Sequence, residues 1–373
     1  MKMGDCMKKD NKCACVSQSA NCNSLFDLSA KEYLSNIRVG INTGRSLDCM
    51  TNKSGDTYTV ADLNSTECKY DFITPTDEKL IQSFKSHGFN AVRVPVTWSE
   101  AIGQGPDYVV SDVLMDRVQK VVDMILAQDM YCILNTHNEF NWLYTRQSDL
   151  EKMYDKFNAL WIQIAERFKD YDGRLIFEGY NEVLKLPEDW TSKAPSDYEV
   201  VNNLAQNFVD TVRATGGNNA KRFLIVAPYG AGCRQEEMTN FVLPTDTIED
   251  KLIVDVHYYF PATSLTGSEK FVLDDTVKAQ LDDAFELVRA LFLDKGYAVM
   301  MNETAFSDVG TPLVEREKWA KHVFEKATQM DIPMYWWDNG TMLRLFDRSA
   351  PPYNPAYPTI IQVIMNATSP RVK

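Results

Sequence analysis

No apolar run approaches the roughly 20 residues that a membrane-spanning helix requires. The opening stretch, MKMGDCMKKDNKCACVSQSANC, lacks the apolar centre of a signal peptide. Positive charge is in short supply: 39 Lys and Arg stand against 52 Asp and Glu, a formal net charge of −13. A nucleic-acid groove or an anionic membrane surface rewards clustered Lys and Arg, so neither partner is expected. A neutral or cationic ligand fits better. There is no G-x-S-x-G elbow and no phosphate-binding loop, and GQGPDY at 103–108 does not match a dinucleotide fingerprint. These absences set aside serine-elbow acyl transfer, nucleotide hydrolysis and nicotinamide chemistry, and no cofactor is expected. Linkers, low-complexity blocks and clear repeats are missing too.

What remains is an ordinary globular composition, 45% hydrophobic and 24% charged over 373 residues, enough for one large core. From residue 37 onward, short β-branched runs alternate with longer amphipathic stretches, the pattern of a parallel sheet covered by helices. Candidate strands occupy 37–44, 90–98, 131–138, 175–182, 223–230, 252–261, 297–306 and 333–340. The stretches DEKLIQSFKSHG, SDVLMDRVQKVVDMILAQD and DLEKMYDKFNALWIQIAERFKD open on Ser or Asp, as capped helices do, and the first ends at Gly88. Eight such units predict a single (β/α)₈ barrel over residues 31–373, with its active site at the C-terminal strand ends. Residues 1–30 are polar, Cys-rich and aperiodic, and read as an irregular N-terminal tail.

The eight cysteines fall in two groups. Cys6, Cys13, Cys15 and Cys22 crowd the N-terminus, where the Cys13–Cys15 spacing and the lack of a nearby histidine disfavour zinc. Cys49 and Cys68 flank a polar stretch that a disulfide could close, whereas Cys132, within an apolar run, reads as a buried thiol.

The predicted strand ends carry Asn42, Arg93, His137, Asn181, Glu182, His257, Tyr259, Glu303, Trp336 and Trp337. Glu182 and Glu303, on the fourth and seventh strands, can face each other across the barrel mouth. Two carboxyls so placed meet the needs of glycosidic bond cleavage: one donates a proton to the leaving oxygen and the other attacks or activates water. Arg93 and Tyr259 are suited to hold Glu303 ionised and steady. His137, His257 and Asn181 can bind sugar hydroxyls, and Trp337 and Trp142 can stack on a sugar ring. His137 and Glu139 would point the same way, yet the sequence offers no third ligand, so no catalytic metal is expected. Trp161 and Trp319 lie on helical runs and read as packing residues.

In order along the chain, GINTGRSLD, GFNAVRVPVTW, YCILNTHNEFNW, LIFEGYNE, VHYYFP, NETAFSD and YWWDNG resemble glycoside hydrolase family 5, from about residue 36 to the C-terminus. The likeness is to the branch containing endo-β-1,4-glucanases of anaerobic rumen and gut microbes. It implies a retaining (β/α)₈ hydrolase with Glu182 as acid/base and Glu303 as nucleophile, acting outside the cell, as a monomer, on a β-glucan. Xyloglucan, mannan or xylan is the alternative substrate, and a binding barrel that has lost catalysis is the alternative of another class. Arg93 matches the family's V-R-x-P, His137 its N-x-H-H-E, Asn181 and Glu182 its N-E pair, His257 and Tyr259 its H-x-Y, and Trp337 its W-W-D-N-G. The chain departs from the pattern at Arg45, Asn138 and Val183, and at Asn302, Thr304 and Ala305 around Glu303.

Overall fold

Alternation along a β-strand sends successive side chains to opposite faces, and in a closed barrel those faces are the interior and the helix layer. The computed structural model describes residues 23–369 apart from 52, 54, 56, 68, 71, 72 and 192. Strands β1 (Gly40–Asn42), β2 (Ala91–Val94), β3 (Tyr131–Asn135), β4 (Leu175–Glu178), β5 (Leu224–Val226), β6 (Leu252–Asp255), β7 (Ala298–Thr304) and β8 (Met334–Trp336) pair in parallel in chain order. The barrel closes through β1 and β8, with Gly40 opposite Tyr335.

Each strand is followed by a helix of the outer layer, α1 (Glu78–Ser86), α2 (Asp112–Leu126), α3 (Leu150–Arg167), α4 (Pro195–Ala214), α5 (Gln235–Thr239), α6 (Asp275–Leu291), α7 (Leu313–Gln329) and α8 (Pro358–Ala367), and short helices at Val60–Glu67 and Thr263–Thr266 lie in the connections after β1 and β6. The caps expected from sequence form. The side chains of Asp77, Ser111 and Asp149 accept from Leu80 N, Val113 N and Lys152 N, satisfying donors that the first turn leaves open. Gly88, just beyond α1, takes φ +99, a conformation that costs a residue with a Cβ.

Two interior layers position the site. The lower is apolar: Ala91, Ile133, Ile176, Ile225, Ile253, Ala298, Met300 and Tyr335 pack together above Tyr33, whose ring stacks on Phe223. Gly40 belongs to this layer for a steric reason, since a Cβ there would lie 2.0 Å from Tyr335 Cδ1. Two residues further along six strands, the same face becomes polar: Asn42, Arg93, Asn135, Glu178, Asp255 and Asn302 are all buried. Outward-facing residues join the helices in a larger core that includes Trp161, Trp319 and Trp336. The indole N–H groups of Trp161 and Trp319 donate to Gly179 O and Phe260 O.

The strands are shorter than the sequence suggests, because the chain leaves the sheet at the mouth. Asn181, Glu182, His257, Tyr259 and Trp337 lie on the loops just past β4, β6 and β8.

Residues 1–22, with Cys6, Cys13, Cys15 and Cys22, lie outside the described residues, as does Cys68. From Asn23 a 3₁₀ turn runs to Asp27, and Phe26 is buried beside the Arg222 guanidinium, so the segment next to the expected boundary at residue 30 packs under the barrel. Cys49 is a buried free thiol, its pKa pushed up to about 12 by burial. Cys132 is likewise a buried free thiol.

Candidate active site

Arg93 rises from β2 into the centre of the polar layer and is fully buried. Its Nε and Nη2 donate to Glu178 Oε2 at 2.7 Å and Oε1 at 2.6 Å, a bidentate clasp of the kind that fixes a guanidinium in plane. Nη1 reaches Glu303 Oε1 at 2.5 Å and Asn42 Oδ1 at 3.0 Å, and Nη2 also donates to Asn181 Oδ1 at 2.8 Å. Burial opposes the charge on Arg93, but Glu178 and Glu303 outweigh it and hold the guanidinium protonated. One side chain thus orients two residues that line the cleft, Glu303 and Asn181.

Glu303 is gripped from two directions. Arg93 binds one carboxylate oxygen, and the Tyr259 hydroxyl donates to the other at 3.0 Å. Burial, with Glu303 and Glu182 nearby, pushes the Tyr259 phenol up, so it stays a donor. Glu182 sits across from Glu303, and His257 Nδ1 lies 2.6 Å from Glu182 Oε1 and 3.5 Å from Glu303 Oε2. Ligand atoms of Glu182, His257 and Glu303 all fall within 4.8 Å of one another. On its other side, His257 Nε2 is 3.3 Å from Asp255 Oδ2, close enough for ion pairing though not aligned as a hydrogen bond. Burial works against charge on His257. The surrounding carboxylates of Glu303, Asp255 and Glu182 prevail and hold it protonated well above the usual histidine range.

His137 is held the opposite way. Burial, reinforced by the positive charges of Arg93 and His257, keeps it well below the ordinary range and neutral. The Asn135 amide, which also donates to Glu178, lies 3.2 Å from His137 Nδ1; that nitrogen therefore accepts, leaving Nε2–H as the donor. The ring stacks on Trp337 with centroids 5.3 Å apart and planes 12° apart. A cleft of about 510 Å³ lies over these groups, lined by His137, Asn138, Asn181, Glu182, His257, Tyr259, Glu303 and Trp337, and continued by Trp190, Gly230–Arg234 and Phe260.

Seven of the ten predicted site residues meet in this cleft: His137, Asn181, Glu182, His257, Tyr259, Glu303 and Trp337. Three do not line it. Arg93 and Asn42 lie beneath it with no exposed surface, and Asn42 spends its amide on Asn302 O and Trp336 O. Both are positioning residues rather than ligand contacts, because the layer they occupy is one step below the mouth. Trp142 points elsewhere: its indole N–H donates to Glu139 Oε2, and Lys156 covers its ring at 4.3 Å. Glu139 also accepts from Trp98 N and Ser99 Oγ, so it braces a loop and does not face His137 as a ligand partner.

Glu178, Asp255 and Asn135 were not anticipated from sequence. The signal was available, since each lies two residues after an inward apolar residue, on the face that also carries Arg93. Trp190 was missed for another reason: it sits on an irregular loop, where sequence carries little positional information.

The unusual residues flanking Glu303 have structural work. Asn302 donates from its amide to Glu178 Oε2 at 2.7 Å, and the Thr304 hydroxyl donates to Tyr258 O at 2.6 Å. Asn302 and Glu303 both serve the barrel interior, which regular alternation forbids for neighbours. A register shift between Met301 and Thr304 against β8 permits it. Arg45 Nη1 donates to Thr341 Oγ1, its guanidinium lies 4.8 Å over the Tyr70 ring, and the Asn138 amide donates to Asp48 O. Asn302 and Asn339, both in N-x-S/T sequons, are buried.

Among known proteins, the family model for cellulases (glycosyl hydrolase family 5) matches residues 51–342. Endoglucanase B of Neocallimastix patriciarum is 33% identical over 320 residues, which covers 85% of this chain and 66% of that protein. Among solved structures, a GH5-4 broad-specificity endoglucanase from Ruminococcus champanellensis with bound cellotriose superposes with a TM-score of 0.84 at 34% identity, covering 91% of this chain and 99% of that one. A family 5 enzyme from Prevotella bryantii, complexed with a xyloglucan tetradecasaccharide, gives a TM-score of 0.81 at 29% identity over 92% of this chain and 99% of that one.

Proposed function

The chain belongs to glycosyl hydrolase family 5, and on that premise we infer that it is a retaining endo-β-1,4-glucanase whose acid/base is Glu182 and whose nucleophile is Glu303. The observation that carries this reading is the approach of the two glutamates, with ligand oxygens within 4.8 Å across the cleft floor. Retaining enzymes hold their carboxyls about 5–5.5 Å apart, close enough for direct attack, whereas inverting enzymes leave room for a water at about 6.5–9.5 Å.

The surroundings support a division of labour. Glu303, held by Arg93 and Tyr259, keeps its carboxylate aimed for attack on the anomeric carbon, forming a covalent glycosyl-enzyme. Glu182 Oε1 faces His257, so Oε2 is the oxygen left to protonate the departing glycosidic oxygen. Ester formation at Glu303 removes one of the negative charges around His257. The imidazolium then sits between Asp255 and a Glu182 carboxylate, the form that must take a proton from water in the second step. The Asn181 amide oxygen is occupied by Arg93, which leaves its NH₂ for the sugar 2-hydroxyl. Trp337, stacked on His137, supplies a flat apolar face for a pyranose ring.

Cellulose or mixed-linkage glucan is the proposed polymer, cut by a monomer outside the cell. Xyloglucan is the second candidate, because the Prevotella neighbour was captured with that polymer. Product profiling on cellulose, barley glucan, xyloglucan, mannan and xylan, with the anomer of the first product followed by NMR, tests both points. A β-configured first product from a β-glucan is expected. An α-configured first product would overturn the retaining assignment, and turnover on none of the five would overturn the hydrolase reading.

A further inference from the structure

Glu178 is a buried carboxylate with every acceptor position taken. An ionised carboxyl offers about four lone pairs. Oε1 accepts from Arg93 Nη2 at 2.6 Å and Asn135 Nδ2 at 3.0 Å, and Oε2 accepts from Arg93 Nε at 2.7 Å and Asn302 Nδ2 at 2.7 Å. A proton on this carboxyl needs one of those positions, so it has to evict a donor.

Asn302, one of the positions at which the chain departs from the family 5 pattern, is fixed for this contact. It is fully buried beside Glu303; its backbone N–H donates to Asp255 Oδ1, and its carbonyl accepts from the Asn42 amide, both at 2.8 Å. The register shift against β8 turns its side chain inward. Its Oδ1 has no hydrogen-bond partner among the described residues, so the bond to Glu178 is what this amide contributes to the polar layer.

The surroundings otherwise favour a proton on Glu178. Burial pushes its carboxyl above the usual carboxylate range, and the Asp255 carboxylate on β6 adds to this against Arg93 and Asn135. Glu303 on β7 competes for the Arg93 cation. The other strands bring no charge: Asn42 of β1 is neutral, β5 is apolar, and Tyr335 of β8 and Tyr180 just past β4 are phenols that burial keeps protonated. A protonated Glu178 would leave the guanidinium charge to Glu303 alone, tightening that ion pair and blunting the carboxylate for attack.

Resting on the hydrolase reading above, we propose that Asn302 is a positioning residue for the nucleophile: its amide fills the last acceptor position on Glu178, keeps that carboxylate ionised at acid pH, and so preserves the balanced Arg93 clasp on Glu303.

The test follows kcat/KM against pH on β-cellobiosyl fluoride, whose activated leaving group departs without Glu182 as acid. Asn302→Ala, which has no donor, should move the acid limb up by about one to two pH units, the worth of a hydrogen bond to a charged group. Asn302→Asp keeps the shape but donates only while protonated, so it should hold the acid limb near wild type and lose activity earlier on the alkaline side. In Asn302→Ala the infrared C=O stretch of a protonated carboxyl should appear at the pH of the shifted limb, and adding Glu178→Gln should remove that band. An unmoved acid limb in Asn302→Ala, or the same profile in both variants, would overturn the positioning role. A wild-type enzyme that leaves the fluoride intact would instead overturn the hydrolase reading, with the infrared band still deciding whether Asn302 keeps Glu178 ionised.

Discussion

Arg93 and Glu303 meet at 2.5 Å, while the remaining nitrogens of the same guanidinium clasp Glu178, a carboxylate with no role at the cleft surface. The proposed nucleophile is therefore steered by a cation that is itself held from below. Removing that cation strands two buried carboxylates at once.

Arg93→Met is expected to destabilise the fold by about 3–5 kcal/mol, the usual result of leaving a buried charge unpaired. Urea denaturation checks this. Arg93→Met combined with Glu178→Gln should regain much of the stability and none of the lost turnover, because Glu303 remains unsupported. Equal stability of the single and double variants would show that Glu178 is not the stranded charge.

The two glutamates should separate under azide rescue of β-cellobiosyl fluoride hydrolysis. Glu303→Ala removes the nucleophile, and azide entering from the vacated face gives an α-glycosyl azide. Glu182→Ala still forms the covalent intermediate from this activated substrate, and azide displaces it to a β-azide. On unactivated glucan, Glu182→Gln should slow turnover by about 10²–10⁴, the range for general acid–base assistance. The same azide anomer from both variants would contradict the assigned roles.

Stability should peak near pH 6.5, the ordinary histidine pKa. His257 is raised in the folded state, so its contribution is complete below about 6.5 and is lost as pH climbs through the higher folded value. His137 is lowered, so the unfolded chain takes up its proton first and stability falls as pH drops below about 6.5. His257→Asn should flatten the alkaline limb of a Tm-against-pH curve, and His137→Asn the acid limb. If each substitution flattened the opposite limb, the two charge states would be reversed.

Gly40→Ala should cost at least the 1–3 kcal/mol typical of overpacking, since the added methyl would fall 2.0 Å from a buried Tyr335 ring carbon. Tyr335→Leu in the same chain should recover part of the loss in a thermal melt. A single variant as stable as wild type would mean that the barrel floor has slack.

Much of this was legible along the chain. Eight apolar runs gave the strand count, and Asp77, Ser111, Asp149 and Gly88 marked helix ends through local backbone chemistry, which needs no distant partner. Glu182 and Glu303 stood out as polar residues closing β-branched runs. Trp142 was misjudged because an aromatic near a strand end has two destinations, the cleft or the loop packing behind it. The Glu139 carboxylate and Lys156, 14 residues further on, chose the second. The sequence could not show that Arg93 and Asn42 lie beneath the cleft and not in its wall, because period two identifies a face and not a height along the barrel axis.

Sequence alone determined the alternation that makes a barrel and the residue types that could act at its rim, because both depend on spacing within a few residues. Only the tertiary structure decided which polar groups touch each other: Arg93 with Glu178 across 85 residues, Arg93 with Glu303 across 210, and His257 with Glu182 across 75. It also decided that a register shift between Met301 and Thr304 lets Asn302 and Glu303 both serve the interior. The charge states follow from those contacts. His137 and His257 are the same residue type just past the ends of β3 and β6, and burial drives both toward neutrality. His257 alone has three carboxylates close enough to reverse it.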